Sequence, residues 1–167
     1  MSEVFVAILM GSDSDLPQMQ PAIDTLAKFA IRTEVKVTSA HRTPQATHDY
    51  VTGADQRGCG VFIAGAGMAA HLAGAVAANT TKPVIGVPIN VSLNGMDALL
   101  STVQMPGGIP VAAVAIGKAG AKNAAYLAAQ ILATGNADLA ALVKADRAES
   151  AKAVEAKDAA LQAQLAK

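Results

Sequence analysis

Thr33-Glu34-Val35-Lys36-Val37-Thr38-Ser39-Ala40-His41-Arg42-Thr43-Pro44 changes its periodicity halfway along. Over residues 31–38 charged and β-branched side chains alternate, the pattern of a half-exposed edge strand. At Thr43-Pro44 a helix can start, because proline is tolerated in a first helical turn. A strand therefore hands over to a helix across Ser39-Ala40-His41-Arg42. In an open α/β sheet such turns line the crevice outside the carboxyl ends of the strands, where ligands bind. This one carries an imidazole, a permanent cation and hydroxyls, enough for proton transfer and anion binding.

The same alternation recurs on both sides. Residues 4–10 form a continuous apolar run, as expected for a parallel strand buried on both faces. Gly11 ends it, and Asp15 with Gln18 resembles a capping box for a helix with Leu16, Met19, Ile23, Leu26 and Ala30 at helical spacing. The helix from Pro44 is expected to end near Arg57. Further strands are expected at 60–64, 83–87 and 111–116, and helices at 68–79, 96–104 and 119–134. Strand–helix alternation of this kind predicts a parallel sheet with helices on both faces. The expected fold is a flavodoxin-like three-layer α/β/α sandwich, with a five-stranded parallel sheet in the order 2-1-3-4-5. In that order the turns Gly11-Ser12-Asp13-Ser14-Asp15, Ser39–Pro44 and Gly65–His71 converge.

Residues 1–134 read as the α/β catalytic domain. Residues 135–167 read as a helical extension of the same domain, capped by Asn136 and running to about Leu165. Mostly Ala, Lys, Glu, Asp and Leu, this long extra C-terminal helix overhangs a domain of this size. It is either a solvated amphipathic tail or a surface that packs on a neighbouring subunit.

Composition narrows the function. The chain has 167 residues, 52% apolar and only 3% aromatic, with 13 basic and 13 acidic side chains. No basic footprint for nucleic acid is present. The single cysteine, Cys59, excludes an intrachain disulfide and zinc-type cysteine spacing. No apolar run reaches the ~18 residues of a membrane span, and a cytoplasmic location is expected. His48 reads as a surface residue and Lys118 and Lys122 as helix-start charges. The loop Met105-Pro106-Gly107-Gly108-Ile109-Pro110 is either a lid over the crevice or a plain connection.

Taken together, Met10-Gly11-Ser12-Asp13-Ser14-Asp15, Ser39-Ala40-His41-Arg42-Thr43-Pro44, Gly65-Ala66-Gly67, Ala69-Ala70-His71-Leu72, Gly86-Val87-Pro88 and Val103-Gln104-Met105-Pro106-Gly107-Gly108 resemble the N5-carboxyaminoimidazole ribonucleotide mutase family of purine biosynthesis. Similar segments continue to Leu132. The resemblance implies an isomerase that moves a carboxylate from the exocyclic nitrogen to carbon 4 of an imidazole ribonucleotide. It implies decarboxylation and recarboxylation, with no cofactor and no metal. It makes His41 the general acid/base, Asp15 the ribose contact, and Ser12 and Arg42 the phosphate contacts. Ser39, Ala66, Gly67, Ala70, His71 and Leu72 then form the wall around the base and the migrating carboxylate. A homo-octamer is implied as well. The loop of residues 105–110 is expected to help seal the pocket against loss of carbon dioxide.

The chain departs from the family pattern at Met68, where a third glycine is commonest, and at Ala73, where proline is common. The loop 89–95 is about one residue shorter than usual. The alternatives are direct carboxylation of aminoimidazole ribonucleotide by carbon dioxide, where lysine is expected after the histidine, and a non-catalytic flavodoxin-like nucleotide-binding module.

Overall fold

The computed structural model describes residues 4–166. Five strands, β1 (Phe5–Met10), β2 (Thr33–Val37), β3 (Cys59–Gly67), β4 (Val84–Ile89) and β5 (Ala112–Ala113), form one sheet in the order β2-β1-β3-β4-β5. Each neighbouring pair is parallel. Six α-helices connect and flank the strands: α1 (Leu16–Lys28), α2 (Pro44–Gln56), α3 (Leu72–Ala77), α4 (Met96–Val103), α5 (Gly117–Ala133) and α6 (Ala137–Leu165).

The two-residue period of the strands divides the core. Val6, Ile8 and Met10 of β1 join Val61, Ile63, Ile85 and Val87 on the face covered by α1 and α5, against Met19, Ala22, Leu26 and Ala121. Phe5, Ala7 and Leu9 join Phe62 and Ala64 on the opposite face, beneath Val51 and Ala54 of α2 and Leu72 and Val76 of α3. All six residues of β1 are buried, so both faces of this strand are packed. Each large side chain buried there contributes roughly 1.5–3 kcal/mol. With so few aromatics, helices sit close to the sheet through alanine and glycine. A Cβ on Gly120 would lie 1.5 Å from the Ala115 carbonyl oxygen, so α5 can approach the preceding turn only with glycine there.

β2 is the edge strand expected, with Val35, Lys36 and Val37 exposed. Cys59 opens β3 and is 1% exposed. Burial pushes its thiol up to about 11, which keeps it protonated and unreactive.

Four expectations need correction. The capping box at the first turn is Ser12 with Asp15, not Asp15 with Gln18, because a 3-10 turn (Asp13–Asp15) precedes α1. β3 extends to Gly67, beyond the expected end at 64. α3 starts at Leu72 rather than 68: Met68 takes φ 55, and the His71 N–H donates to the Ala69 carbonyl. β5 is two residues long instead of six. It pairs only with Ile85 and Gly86, one further N–H, that of Val114, reaches Gly86, and the chain then turns into α5.

Candidate active site

The sheet order puts the ends of β1, β2 and β3 side by side. Thr38 N–H donates to the Met10 carbonyl at 2.9 Å and Gly11 N–H to the Gly65 carbonyl at 3.3 Å, so the three following turns are tied together at their bases. Between them lies a cavity of about 320 Å³.

The first turn is organised by its own cap. Ser12 N–H donates to Asp15 Oδ2 at 3.1 Å and Ser14 N–H donates to Ser12 Oγ at 3.2 Å. Asp15 is 8% exposed. Burial pushes its carboxyl above the usual range. The Ser12 N–H pulls it back down, and the neighbouring Asp13 adds a further push upward.

The second turn rests on hydroxyls. Thr38 and Thr47 share a buried hydrogen bond of 2.7 Å, and Thr43 Oγ1 accepts from Ser39 N–H at 2.9 Å. Ser39 Oγ accepts the Arg42 N–H at 3.1 Å, closing the turn that presents His41 and Arg42. Both of these side chains are exposed. No ion pair among the described residues involves Arg42, so its guanidinium is available to an anion.

The third turn supplies His71, the N-cap residue just before α3. His41 Nε2 lies 2.7 Å from His71 Nδ1, with the rings edge-to-face at 4.8 Å between centroids. At that distance one nitrogen donates and the other accepts, so the two facing nitrogens share a single proton. A proton can thus be held and handed on at the mouth of the cavity.

Of the ten residues expected to form the site, Ser12, Asp15, Ser39, His41, Arg42, Ala66, Gly67, His71 and Leu72 line this one cavity. Ala70 does not: it is 1% exposed, and its side chain belongs to the interior. The cavity also takes in Ala40 and Val91. Val91 follows β4, whose carboxyl end opens onto the same crevice as the other three strands; the topology alone would have pointed to it. The 105–110 loop reaches no part of the cavity. It joins α4 to the start of β5, and connections that lead into a strand lie at the opposite end of a parallel sheet from those that leave it. Gly108, Ile109 and Pro110 instead line a separate cleft with residues 80–85.

Fold and cavity define a doubly wound α/β protein with a small-molecule site at the switch point of its sheet. The chain belongs to the AIR carboxylase family, whose model matches residues 5–153. A Mycobacterium tuberculosis protein named N5-carboxyaminoimidazole ribonucleotide mutase is 54% identical over 158 residues, spanning 94% of this chain and 90% of its own. A Bacillus subtilis protein of the same name is 58% identical over 136 residues, spanning 81% and 84%. In three dimensions the chain is similar to Treponema denticola PurE, with a TM-score of 0.84 and 30% identity over 93% of this chain and 96% of that one.

Proposed function

We infer that this chain is an N5-carboxyaminoimidazole ribonucleotide mutase, which forms 4-carboxy-5-aminoimidazole ribonucleotide. The observation that carries the reading is the convergence of an imidazole pair, a guanidinium with no ion pair among the described residues and a buried carboxyl on one cavity, in a chain more than half identical to relatives of that name. The chemistry balances without a co-reactant. The carbon–nitrogen bond of the N-carboxylate breaks, its electron pair stays on nitrogen, and carbon dioxide is held in the cavity. Carbon 4 of the imidazole attacks that carbon dioxide and forms the new carbon–carbon bond. Carbon 4 loses a proton and nitrogen gains one, so the sum is an isomerisation.

His41 moves that proton from carbon 4 to nitrogen, and His71 orients the His41 ring through the hydrogen bond between them. Arg42 and the Ser12 hydroxyl hold the phosphate, while Asp15 accepts from ribose hydroxyls. Ser39, Ala66, Gly67 and Leu72 shape the wall, and Ala70 supports it from behind. The working unit is a homo-octamer in the cytoplasm, with α6 packed on a neighbouring subunit. Residues 147–166 are all exposed in the single chain, and Val154, Leu161 and Leu165 are apolar residues left uncovered there. No helix among the described residues is long and apolar enough to cross a membrane.

His41→Asn tests the catalytic assignment. The variant is expected to keep the wild-type circular dichroism and an eight-chain native mass while losing at least ~100-fold in kcat, the lower range for a general acid–base. Turnover within a few-fold of wild type would remove His41 from the chemistry.

A further inference from the structure

Four residues other than glycine have positive φ among those described: Ala30 at 54, Met68 at 55, Leu93 at 44 and Asn94 at 56. Ala30 follows the end of α1, where such a conformation is ordinary. Leu93 and Asn94 lie in the short 3-10 turn that precedes α4, and only Met68, directly after β3, lines the cavity. Left-handed backbone disfavours a side chain, and it persists where something else requires it. For Met68 that requirement is not packing within the chain, because the residue is 57% exposed. It does line the cavity, as does Val91, which is 58% exposed. The two are neighbours across Gly67. A Cβ on Gly67 would stand 2.5 Å from Val91 Cγ2, so Val91 lies directly over that glycine, next to Met68 in sequence.

The rim therefore carries two uncovered apolar side chains, facing polar and charged groups on the first and second turns. The 105–110 loop, at the other end of the sheet, leaves the mouth open within the chain. Methionine is unbranched and has three rotatable bonds, so it can fold onto a flat ring that enters below it.

We propose that Met68 is a specificity-determining residue: its side chain closes over the bound heterocycle and, with Val91, shuts the mouth of the cavity against water. The proposal rests on the mutase reading, in which carbon dioxide must be kept in the cavity, and because glycine is commonest here in the family pattern the cover is particular to this chain. It assigns the strain at Met68 to function. Glycine at that position would accept φ 55 without penalty and would lose the cover.

The test uses the full-length protein with N5-carboxyaminoimidazole ribonucleotide as the probe, in wild type, Met68→Gly and Met68→Leu. KM, kcat, the fraction of turnovers that release decarboxylated aminoimidazole ribonucleotide, and Tm are read together. Met68→Gly is expected to match or exceed the wild-type Tm. Its KM should rise about tenfold, the worth of one buried methionine-sized contact, and its decarboxylated by-product should increase. Met68→Leu should stay within threefold of wild type on every count, because apolar volume is kept. Met68→Gly with KM and product partition within twofold of wild type would overturn the role of Met68 and leave the mutase reading standing. A wild-type chain that does not turn over this substrate would overturn both.

Discussion

Asp15 has two jobs that oppose one another. Its carboxylate receives the Ser12 N–H and completes the capping box that shapes the first turn. It is also buried beside Asp13, and burial raises its affinity for a proton. A carboxyl whose folded-state value lies above the unfolded one weakens the fold wherever it is ionised. The penalty is absent below about pH 3.9, grows through the window up to the raised value, and persists in full above it. Asp15→Asn removes the charge and keeps an oxygen to accept the Ser12 N–H. It should raise Tm by about 1–3 °C at pH 7, with the advantage gone at pH 3.5, while KM rises at least about tenfold. Calorimetry at the two pH values checks the first part and steady-state kinetics the second; a lower Tm at pH 7 with unchanged KM would contradict both. The Ser-x-x-Asp spacing of this cap is plain in the sequence, yet apolar periodicity drew the reading to Asp15-x-x-Gln18. Periodicity registers the helix and is silent about a 3-10 turn before it. Met68 is the converse case: its departure from a glycine pattern was visible, while its left-handed backbone required coordinates.

Elements differ in how openly they were written. β1 is six apolar residues buried on both faces, as its place inside the sheet requires, whereas β2 lies at the edge with Val35, Lys36 and Val37 all exposed, so its alternating sequence is not matched by alternating burial. β5 was not legible in length, since Val111, Val114 and Ile116 suit a strand whether or not a partner lies alongside. α6 shows best how an element is held. Asp146 is 6% exposed and accepts from Lys28 Nζ on α1 and from the Tyr126 hydroxyl on α5, the latter at 2.7 Å. The Lys28 hydrogen bond, and then that of Tyr126, hold the Asp146 carboxyl below the usual range, and the same contact holds the Lys28 ammonium above its own. The Asp146 contribution is thus complete above about pH 3.9 and lost only as pH falls through the lowered value. The Lys28 contribution is complete below about pH 10.4 and lost as pH rises through the raised one. Asp146→Ala should lower Tm by roughly 3–6 °C at pH 7, as expected for losing hydrogen bonds to a charged group. The gap should persist at pH 5 and close only below pH 4. Equal melting temperatures at pH 7, or a gap already closed at pH 5, would show that α6 is held by Leu139 and Val143 alone, packed near Phe29 and Tyr126.

At the scale of the molecule, sheet order does most of the work. The order β2-β1-β3 makes neighbours of three turns that are far apart in the chain, which is why nine of the ten site residues named from sequence share one cavity. The same order explains the failure over the 105–110 loop. Its Gly/Pro composition marks a tight connection, but composition does not say at which end of the sheet the connection lies. Strand direction does, and it puts this loop away from the crevice of its own chain. The overhang of α6 was legible from length and composition, whereas the tie through Asp146 was hidden because the charged residues of a long helix look alike until one of them is buried. The activity of the protein turns on what enters the cavity. The most direct measurement gives the purified protein, without ATP, N5-carboxyaminoimidazole ribonucleotide in one vessel and aminoimidazole ribonucleotide with high bicarbonate in another, and follows 4-carboxy-5-aminoimidazole ribonucleotide in both. Rapid product from the first vessel only is the result predicted; rapid product from the second only, or none from either, would contradict the account.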